Sequence, residues 1–294
     1  MKEKKIAHAF VVLYHKMLSL IPKTRRGDKA YSVITFIIYH KRLPIKKFLF
    51  NDVLHQLKIS GELQLPLRVF TTDKEFVKQY IKSVVGEKYI IPTTAILRSA
   101  AEVNNYNFPA DCCIKPTHAS GEFIFRKSSE LLETDKIKKW LSLNCYLAYR
   151  EANYRVLTPT VIVEPILFNT SSIKDYRVFC FQGKPRFIML DLARNVPRSR
   201  KLYDTHWNEF ECDTKKLRSL EEIERPKNLD EMLRVAEKLS AKFSFVRVDL
   251  YTDGNVCQVG EITHCHSRAL ESFWPKSYES KISKCIFSDN HKNN

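Results

Sequence analysis

Apolar residues recur at helical spacing over the first part of the chain. The pattern predicts helices over 6–20, 31–40, 48–57 and 73–85, with Asp73 able to cap the last and Gly86 to stop it. From Tyr89 the period shortens. β-type runs are expected at 89–91, 94–98, 111–115, 122–126, 160–165, 174–181 and 184–192, with a helix over 134–146 between them. A second clear helix spans 226–242, carrying Leu229, Met232, Leu233, Val235, Ala236 and Leu239 on one side. A hairpin follows: arms at 243–251 and 256–263 around Thr252-Asp253-Gly254-Asn255. A charged, frayed tail is expected after Ser288. Hairpins mixed with helices, without strict βαβ alternation, predict an α+β fold.

Composition narrows the function. The 294 residues are 44% hydrophobic and 28% charged, an ordinary globular mixture, so wholesale disorder is excluded. Glycine is scarce, at seven residues, and the seven are too dispersed for a G-x-G-x-x-G fingerprint or a Walker A loop. A net charge of +16 implies an anionic partner, or a solvated basic surface. Nucleic acid is not the expected partner, because no RNA-recognition, zinc-finger or homeodomain pattern accompanies the charge. Eight cysteines without a C-x-x-C pair fit reduced, buried thiols and a cytoplasmic protein. The N-terminal apolar run, broken by His8, His15 and Lys16, is too short to span a bilayer. It reads as a packed amphipathic helix, or alternatively as a peripheral contact with the inner membrane face.

Four constellations could carry chemistry. In Asp111-Cys-Cys-Ile-Lys115-Pro-Thr-His118-Ala-Ser120-Gly121-Glu-Phe-Ile-Phe125, a strand ends in lysine and a small-residue loop returns to a second strand. Its backbone N–H groups could cradle phosphate, or the unit could be a plain hairpin. In Phe245-Val-Arg247-Val-Asp249-Leu-Tyr251 and Val259-Gly260-Glu261-Ile-Thr263, alternation puts Arg247, Asp249 and Tyr251 on one face. Asp249 and Glu261 could hold Mg²⁺ if the hairpin register puts them on a common face, which the sequence leaves open; a mutual salt bridge is the alternative. Thr160-Val-Ile-Val-Glu164-Pro-Ile-Leu167 with Asp175-Tyr-Arg-Val-Phe could read adenine and ribose, or could be structural. Thr263-His264-Cys265-His266 is dense in metal-binding residue types but lacks zinc spacing.

The order of these pieces resembles the ATP-grasp enzymes, and more narrowly the TupA-like branch linked to teichuronopeptide and capsular polysaccharide synthesis. Further matching phrases include His40-Lys-Arg-Leu-Pro44, Asp73-Lys74, Gly86-Glu-Lys-Tyr-Ile-Ile-Pro92, Tyr203-Asp204 with Trp207, and Asn228-Leu-Asp-Glu-Met232. The resemblance runs from about Arg42 to Tyr278. It implies an ATP-grasp fold with a helical N-terminal region over 1–88, a small subdomain with the phosphate-covering loop over 89–165, and a C-terminal subdomain with the metal-binding hairpin over 166–294.

Residue by residue, the resemblance implies that Lys74 and Lys115 contact ATP phosphates and that His118, Ser120 and Gly121 belong to the covering loop, where Ala119 replaces a usual glycine. It implies an adenine hinge at Glu164, Ile166 and Leu167, a ribose contact at Asp175, and a basic residue near the γ-phosphate at Arg194. Arg247 corresponds to the arginine that stabilises the tetrahedral intermediate, with Lys115 as the other catalytic candidate. Asp249 and Glu261 correspond to magnesium ligands, and Thr263 to the third position, where a hydroxyl is a weaker ligand. After Thr263 the sequence departs from the branch; His264, His266 and Arg268 are candidate substrate contacts in the altered segment 264–271.

The implied activity is an ATP- and Mg²⁺-dependent carboxylate–amine ligase working through an acyl phosphate. The implied partners are an anionic sugar or polysaccharide carboxylate, such as a uronic acid of a surface polysaccharide or its precursor, and an amino acid or other amine. A glycosyltransferase is the first alternative, although the chain has no D-x-D; a non-enzymatic basic binding module is the second.

Overall fold

The computed structural model describes residues 16–169, 174–192, 199–214, 219 and 221–287. Most of the expected helix over 6–20, Arg194 and the tail after Ser288 lie outside these ranges. The described chain is mixed α and β, as the alternating periods predict. After helical residues at 16–19 come α1 (Arg25–His40), α2 (Phe50–Ser60), α3 (Pro66–Thr72) and α4 (Val77–Val84). Asp73 caps the approach to α4, its Oδ1 accepting from the N–H of Glu75 at 2.8 Å, and Gly86 follows the helix at φ 106°.

A small antiparallel sheet comes next, from β1 (Ala95–Leu97), β2 (Cys112–Pro116), β3 (Ile124–Arg126) and β4 (Val161–Glu164), ordered β1-β4-β2-β3. α5 (Ala100–Asn105) and α6 (Thr134–Trp140) cover one face, where Val103, Ile137 and Trp140 pack on Cys112, Ile114, Val161 and Val163. The helix expected over 134–146 is broken. Asn144 accepts from the N–H of Leu147 at 3.1 Å, starting a separate helix, α7 (Cys145–Tyr149). The strand expected at 89–91 is instead a 3₁₀ turn at Glu87–Tyr89, with a single bridge from Ile90 to Val259. Gly86, at φ 106°, leads directly into this turn, and the Tyr89 hydroxyl donates to Glu231 at 2.8 Å.

The large sheet is antiparallel and ordered β11-β10-β5-β6-β7-β8. Its strands are β5 (Asp175–Phe181), β6 (Lys184–Asp191), β7 (Arg200–Asp204), β8 (Glu209–Phe210), β10 (Phe245–Thr252) and β11 (Cys257–Thr263); β9 (Asp213–Thr214) pairs with β12 (Phe273–Trp274). Helix α8 (Leu229–Ser240) lays Leu229, Met232, Val235, Ala236 and Leu239 onto Val178, Ile188, Val246 and Val248. On the opposite face, α2 and α9 (Tyr278–Phe287) bury Phe50, Leu54, Ile282 and Ile286 against Phe179, Phe187, Met189 and Phe245. Phe50 sits among four phenylalanine rings with centroids 5.6–6.3 Å away.

That second face changes character along its length. Past the aromatic core its outward positions become Asp175, Arg177, Asp191, Arg200, Arg247 and Asp249, all largely buried. Buried charges are costly unless they are paired or serve a ligand. No helix among the described residues is long and apolar enough to cross a membrane. None of the eight cysteines is in a disulfide, and seven are buried.

Candidate active site

The charged half of the large sheet forms the floor of a cavity of about 310 Å³. The small sheet overhangs it, so that Lys115, Ser120 and Gly121 line it together with Lys74, Asp175, Arg247, Asp249, Glu261 and Thr263. Residues more than 100 positions apart therefore converge on one pocket.

The hairpin register decides whether the two acids can act together. Thr252 pairs with Cys257, Tyr251 with Gln258 and Leu250 with Val259, but Asp249 pairs with Glu261. The register shift leaves Gly260 as an extra residue on β11, a β-bulge. Without it, Gly260 would oppose Asp249 and Glu261 would move to the core face. With it, the carboxylates stand opposite each other on the pocket face. Gly260 is glycine for want of space: a Cβ there would lie 2.4 Å from Cε2 of Tyr251.

Arg247 bridges the pair. Its Nε and Nη2 donate to Asp249 at 2.6 and 2.5 Å, and Nη2 also donates to Glu261 Oε1 at 2.9 Å. The Thr263 hydroxyl donates to the same Glu261 oxygen at 2.7 Å. Burial pushes the Asp249 carboxyl well above the usual carboxylate range, against Arg247 and with help from Asp175 and Glu261. Burial works against ionising Glu261 as well, but Lys74, Arg247 and the Thr263 hydroxyl hold it well below that range. Two buried carboxyl groups thus share one guanidinium. All donors are hard oxygens, and two carboxylates with a hydroxyl fit the few protein ligands that Mg²⁺ takes. Among the described residues, no group of three or more His, Cys, Asp or Glu side chains is placed to hold a metal ion, in this cavity or outside it.

Lys115 and Glu164 share the face of the small sheet turned from its core. Lys115 Nζ stands 2.6 Å from Glu164 Oε2, and Lys78 takes the other oxygen at 2.6 Å. Burial opposes the Lys115 charge, but Glu164 outweighs it and raises the ammonium's pKa. Lys74 donates to the Ala119 carbonyl at 2.5 Å, and burial lowers its pKa against the pull of Glu261. In the covering loop, left-handed backbone falls on Gly121 (φ 84°) rather than on Ala119, so alanine at 119 costs no strain.

Several predicted residues stand apart. His118 is 3% exposed and faces inward: its Nδ1 accepts from the Thr160 N–H at 3.2 Å, so Nε2–H donates to the Trp140 carbonyl at 3.0 Å. Neither ring nitrogen is left for a phosphate. Glu164, Ile166 and Leu167 do not line the cavity; Ile166 is half-buried, and Leu167 opens a 3₁₀ turn at Leu167–Asn169. Asp175 does line it, with Arg177 donating twice to its Oδ2, at 3.1 and 2.9 Å. Arg194 lies outside the described residues.

The altered segment after Thr263 lines the same cavity from His264 to Arg268. His264 accepts from Arg68 at Nδ1 (3.1 Å), so Nε2–H donates to the Thr71 hydroxyl (2.9 Å), and burial followed by Arg68 keeps the ring neutral. His266 accepts from Arg247 at Nδ1 (2.6 Å), so Nε2–H donates to the buried Glu271 (2.8 Å). Burial pulls its pKa down to about 3. His266 therefore positions Arg247 from the side opposite the acids. Arg268 is exposed, its guanidinium 4.5 Å from the Tyr149 ring centroid.

Sequence reasoning missed Arg177, Lys78 and the wall made by Glu151, Asn153 and Tyr154. Arg177 carried a signal: two residues after Asp175 on a strand, it shares the same face. The wall, in the 3₁₀ turn Ala152–Tyr154 and the residue before it, carried none.

A family model described as TupA-like ATPgrasp matches residues 54–287. No curated protein matches the chain. Solved structures similar to it include an L-amino acid ligase from Bacillus licheniformis, at 13% identity and TM-score 0.45, covering 80% of this chain and 53% of that one. A D-alanine–D-alanine ligase from Helicobacter pylori follows at 16% identity and TM-score 0.42, covering 77% and 62%. The ATP-grasp ligase PsnB with its minimal precursor shows 14% identity and TM-score 0.42, covering 82% and 68%. The chain thus spans about half the length of the first of these relatives.

Proposed function

This chain belongs to the TupA-like ATP-grasp family, and on that footing we propose that it is an ATP-dependent carboxylate–amine ligase. The observation that carries the reading is the convergence of Lys74, Lys115, Arg247, Asp249 and Glu261 on one cavity. ATP would lie between the small sheet and the charged half of the large one. Lys74 and Lys115 would meet its phosphates, and the N–H groups of Ser120 and Gly121 would cover them. Asp249 and Glu261 would hold Mg²⁺, assisted by Thr263; the ion, when bound, neutralises phosphate charge. Arg247 Nη2, shared here between the two acids, is the donor that would meet the oxyanion as an amine attacks an acyl phosphate. His266 would keep that guanidinium in place.

The carboxylate substrate is proposed to be a uronic acid of a surface polysaccharide or its precursor, and the amine an amino acid. A basic chain of net charge +16 suits an anionic sugar and ATP alike. The test is ADP release from Mg-ATP with a panel of uronates, nucleotide-linked uronates and amino acids, beside calorimetric ATP binding. Lys115→Ala and Asp249→Asn should each weaken Mg-ATP binding at least tenfold. A wild-type chain that does not bind ATP, or binding indifferent to both substitutions, would refute the ligase reading.

A further inference from the structure

Helix α1 buries polar residues and exposes apolar ones. Its buried positions are Gly27, Ser32, Thr35 and Phe36. The Thr35 hydroxyl donates back to the Tyr31 carbonyl at 2.8 Å and is satisfied within the helix. Ile34 and Ile38, one turn apart, are 39% and 42% exposed, with Ile37 half-buried beside them. The loop after the helix adds Leu43 and Ile45, 55% and 73% exposed. Single exposed apolar residues are ordinary, but a helix normally turns its apolar stripe inward. Four large aliphatic side chains exposed between positions 34 and 45 mark a contact surface.

The charge around it has one sign. From Lys16 to Leu49 the chain carries nine Lys and Arg and a single acid, Asp28. That acid is already engaged: its Oδ1 accepts from Arg150 at 3.0 Å and its Oδ2 from the Tyr146 hydroxyl at 2.9 Å. Arg42 pairs with Asp52 at 2.6 Å. Arg26 and Lys29 near the start of α1, and Lys41, Lys46 and Lys47 after its end, are exposed and in no ion pair among the described residues. At steps of four and finally three, Arg26, Ala30, Ile34, Ile38 and Lys41 fall on one outward stripe, every one of them exposed. The stripe is basic at both ends and apolar between.

We propose that this stripe and the loop after it dock on an anionic membrane surface. Ile34, Ile38, Leu43 and Ile45 enter the interface, and the flanking basic residues meet lipid phosphates. Aliphatic side chains between cationic ends are what a helix lying in the plane of a bilayer presents, and each exposed cation is favoured near a negatively charged leaflet. The contact is thus placed on α1 rather than on the 6–20 run where the sequence alone put it. The inference does not rest on the ligase reading, because none of these residues lines the cavity. The two surfaces still communicate: His40, at the end of α1, hydrogen-bonds the Ala269 carbonyl at 2.9 Å, next to the cavity-lining Arg268.

The test is co-sedimentation of the full chain with vesicles of phosphatidylcholine mixed with phosphatidylglycerol, beside vesicles of phosphatidylcholine alone. Binding to the anionic vesicles should be at least tenfold tighter and should weaken as salt rises. Ile34→Gln with Ile38→Gln, which keeps the charge and nearly keeps the helix propensity, should weaken it tenfold or more. Lys41→Gln with Lys46→Gln and Lys47→Gln should act as strongly on the anionic vesicles only. Unchanged near-ultraviolet circular dichroism would show that the variants are folded. The proposal is overturned if the wild type does not sediment with anionic vesicles, if both compositions bind alike, or if binding ignores the isoleucine pair. Two other occupants of the face would also overturn it. A dimer by light scattering that the isoleucine pair dissociates assigns the face to a second copy of the chain. A urea midpoint lowered both by that pair and by Phe10→Gln with Leu13→Gln assigns it to residues 6–14 of the same chain. Mg-ATP binding in solution should be equal in wild type and variants, so failure of either reading leaves the other standing.

Discussion

The bulge at Gly260 makes a quantitative prediction for Gly260→Ala. The added Cβ would lie 2.4, 2.9 and 3.0 Å from Cε2, Cζ and Oη of Tyr251. Carbon atoms in contact settle at about 3.5–4.0 Å, so the nearest pair must separate by roughly 1 Å. Backbone conformation is not at issue, because Gly260 is absent from the positive-φ glycines. Two relaxations are available. The Tyr251 ring can swing away, giving up packing at a position 9% exposed, or the β11 arm can retreat. Retreat by the same distance takes Glu261 Oε1 from 2.9 to about 4 Å from Arg247 Nη2, past hydrogen-bonding range. Overpacking of this kind costs about 1–3 kcal/mol.

Urea unfolding should therefore show Gly260→Ala less stable by about 1–3 kcal/mol, and calorimetry should show weaker Mg-ATP binding. The decisive assay is the double-mutant cycle with Tyr251→Leu, which removes the clashing ring atoms. The alanine should then cost at least about 1 kcal/mol less than in the wild-type background. A Gly260→Ala protein within about 0.5 kcal/mol of wild type, or a cost unchanged by Tyr251→Leu, would refute the steric account of the bulge.

Two further outcomes follow from buried histidines. His55 is 1% exposed with both ring nitrogens unpartnered among the described residues, and burial, then Lys58, lowers its pKa from 6.5 to about 4. A depressed histidine pKa means stability that is present above pH 6.5 and lost as pH falls toward 4, about 1.4 kcal/mol per unit. By pH 5 this is a loss of roughly 2 kcal/mol that His55→Leu should abolish in urea unfolding; an identical pH slope in the variant would contradict it. At His266, leucine removes the acceptor for Arg247 and the donor to Glu271, whereas glutamine can supply both. His266→Leu should be less stable than His266→Gln by about 1–3 kcal/mol in the same assay, and equal stabilities would count against the positioning role.

What the sequence disclosed and what it withheld differ in range. Alternation along β10 reveals that Arg247 and Asp249 share a face, because side-chain direction on a strand is local. The placing of Glu261 beside them is not local. It depends on one extra residue in β11, admitted because Gly260 leaves room under the Tyr251 ring, and parity along the chain cannot reveal a contact across the hairpin. The histidines fail for the same reason. His118, His264 and His266 stand beside site residues in sequence, but their ring nitrogens are claimed by Trp140, Arg68 and Arg247, partners 19 to 196 residues away. Helices α3 and α5, of seven and six residues, carry too few turns for periodicity to register.

One long-range feature was nevertheless written in the strands. On the pocket face, β5 runs from Asp175 and Arg177 to Phe179 and Phe181, and β6 from Phe187 and Met189 to Asp191. β7 runs from Arg200 to Leu202 before Asp204 closes the turn to β8, and β10 from Phe245 to Arg247 and Asp249. The gradient from charged to apolar reverses from each strand to its neighbour. In an antiparallel sheet that reversal is what gathers these charged ends at one edge of the core and these apolar ends at the other. Had the gradients all pointed the same way along the chain, charged and aromatic side chains would have interleaved, and neither a dry core nor a charged cavity could have formed. Alternating gradients on successive strands therefore locate the pocket before any motif is recognised. They also explain why one face of one sheet both holds the domain together through Phe50 and its neighbours and presents the acids that the proposed chemistry needs.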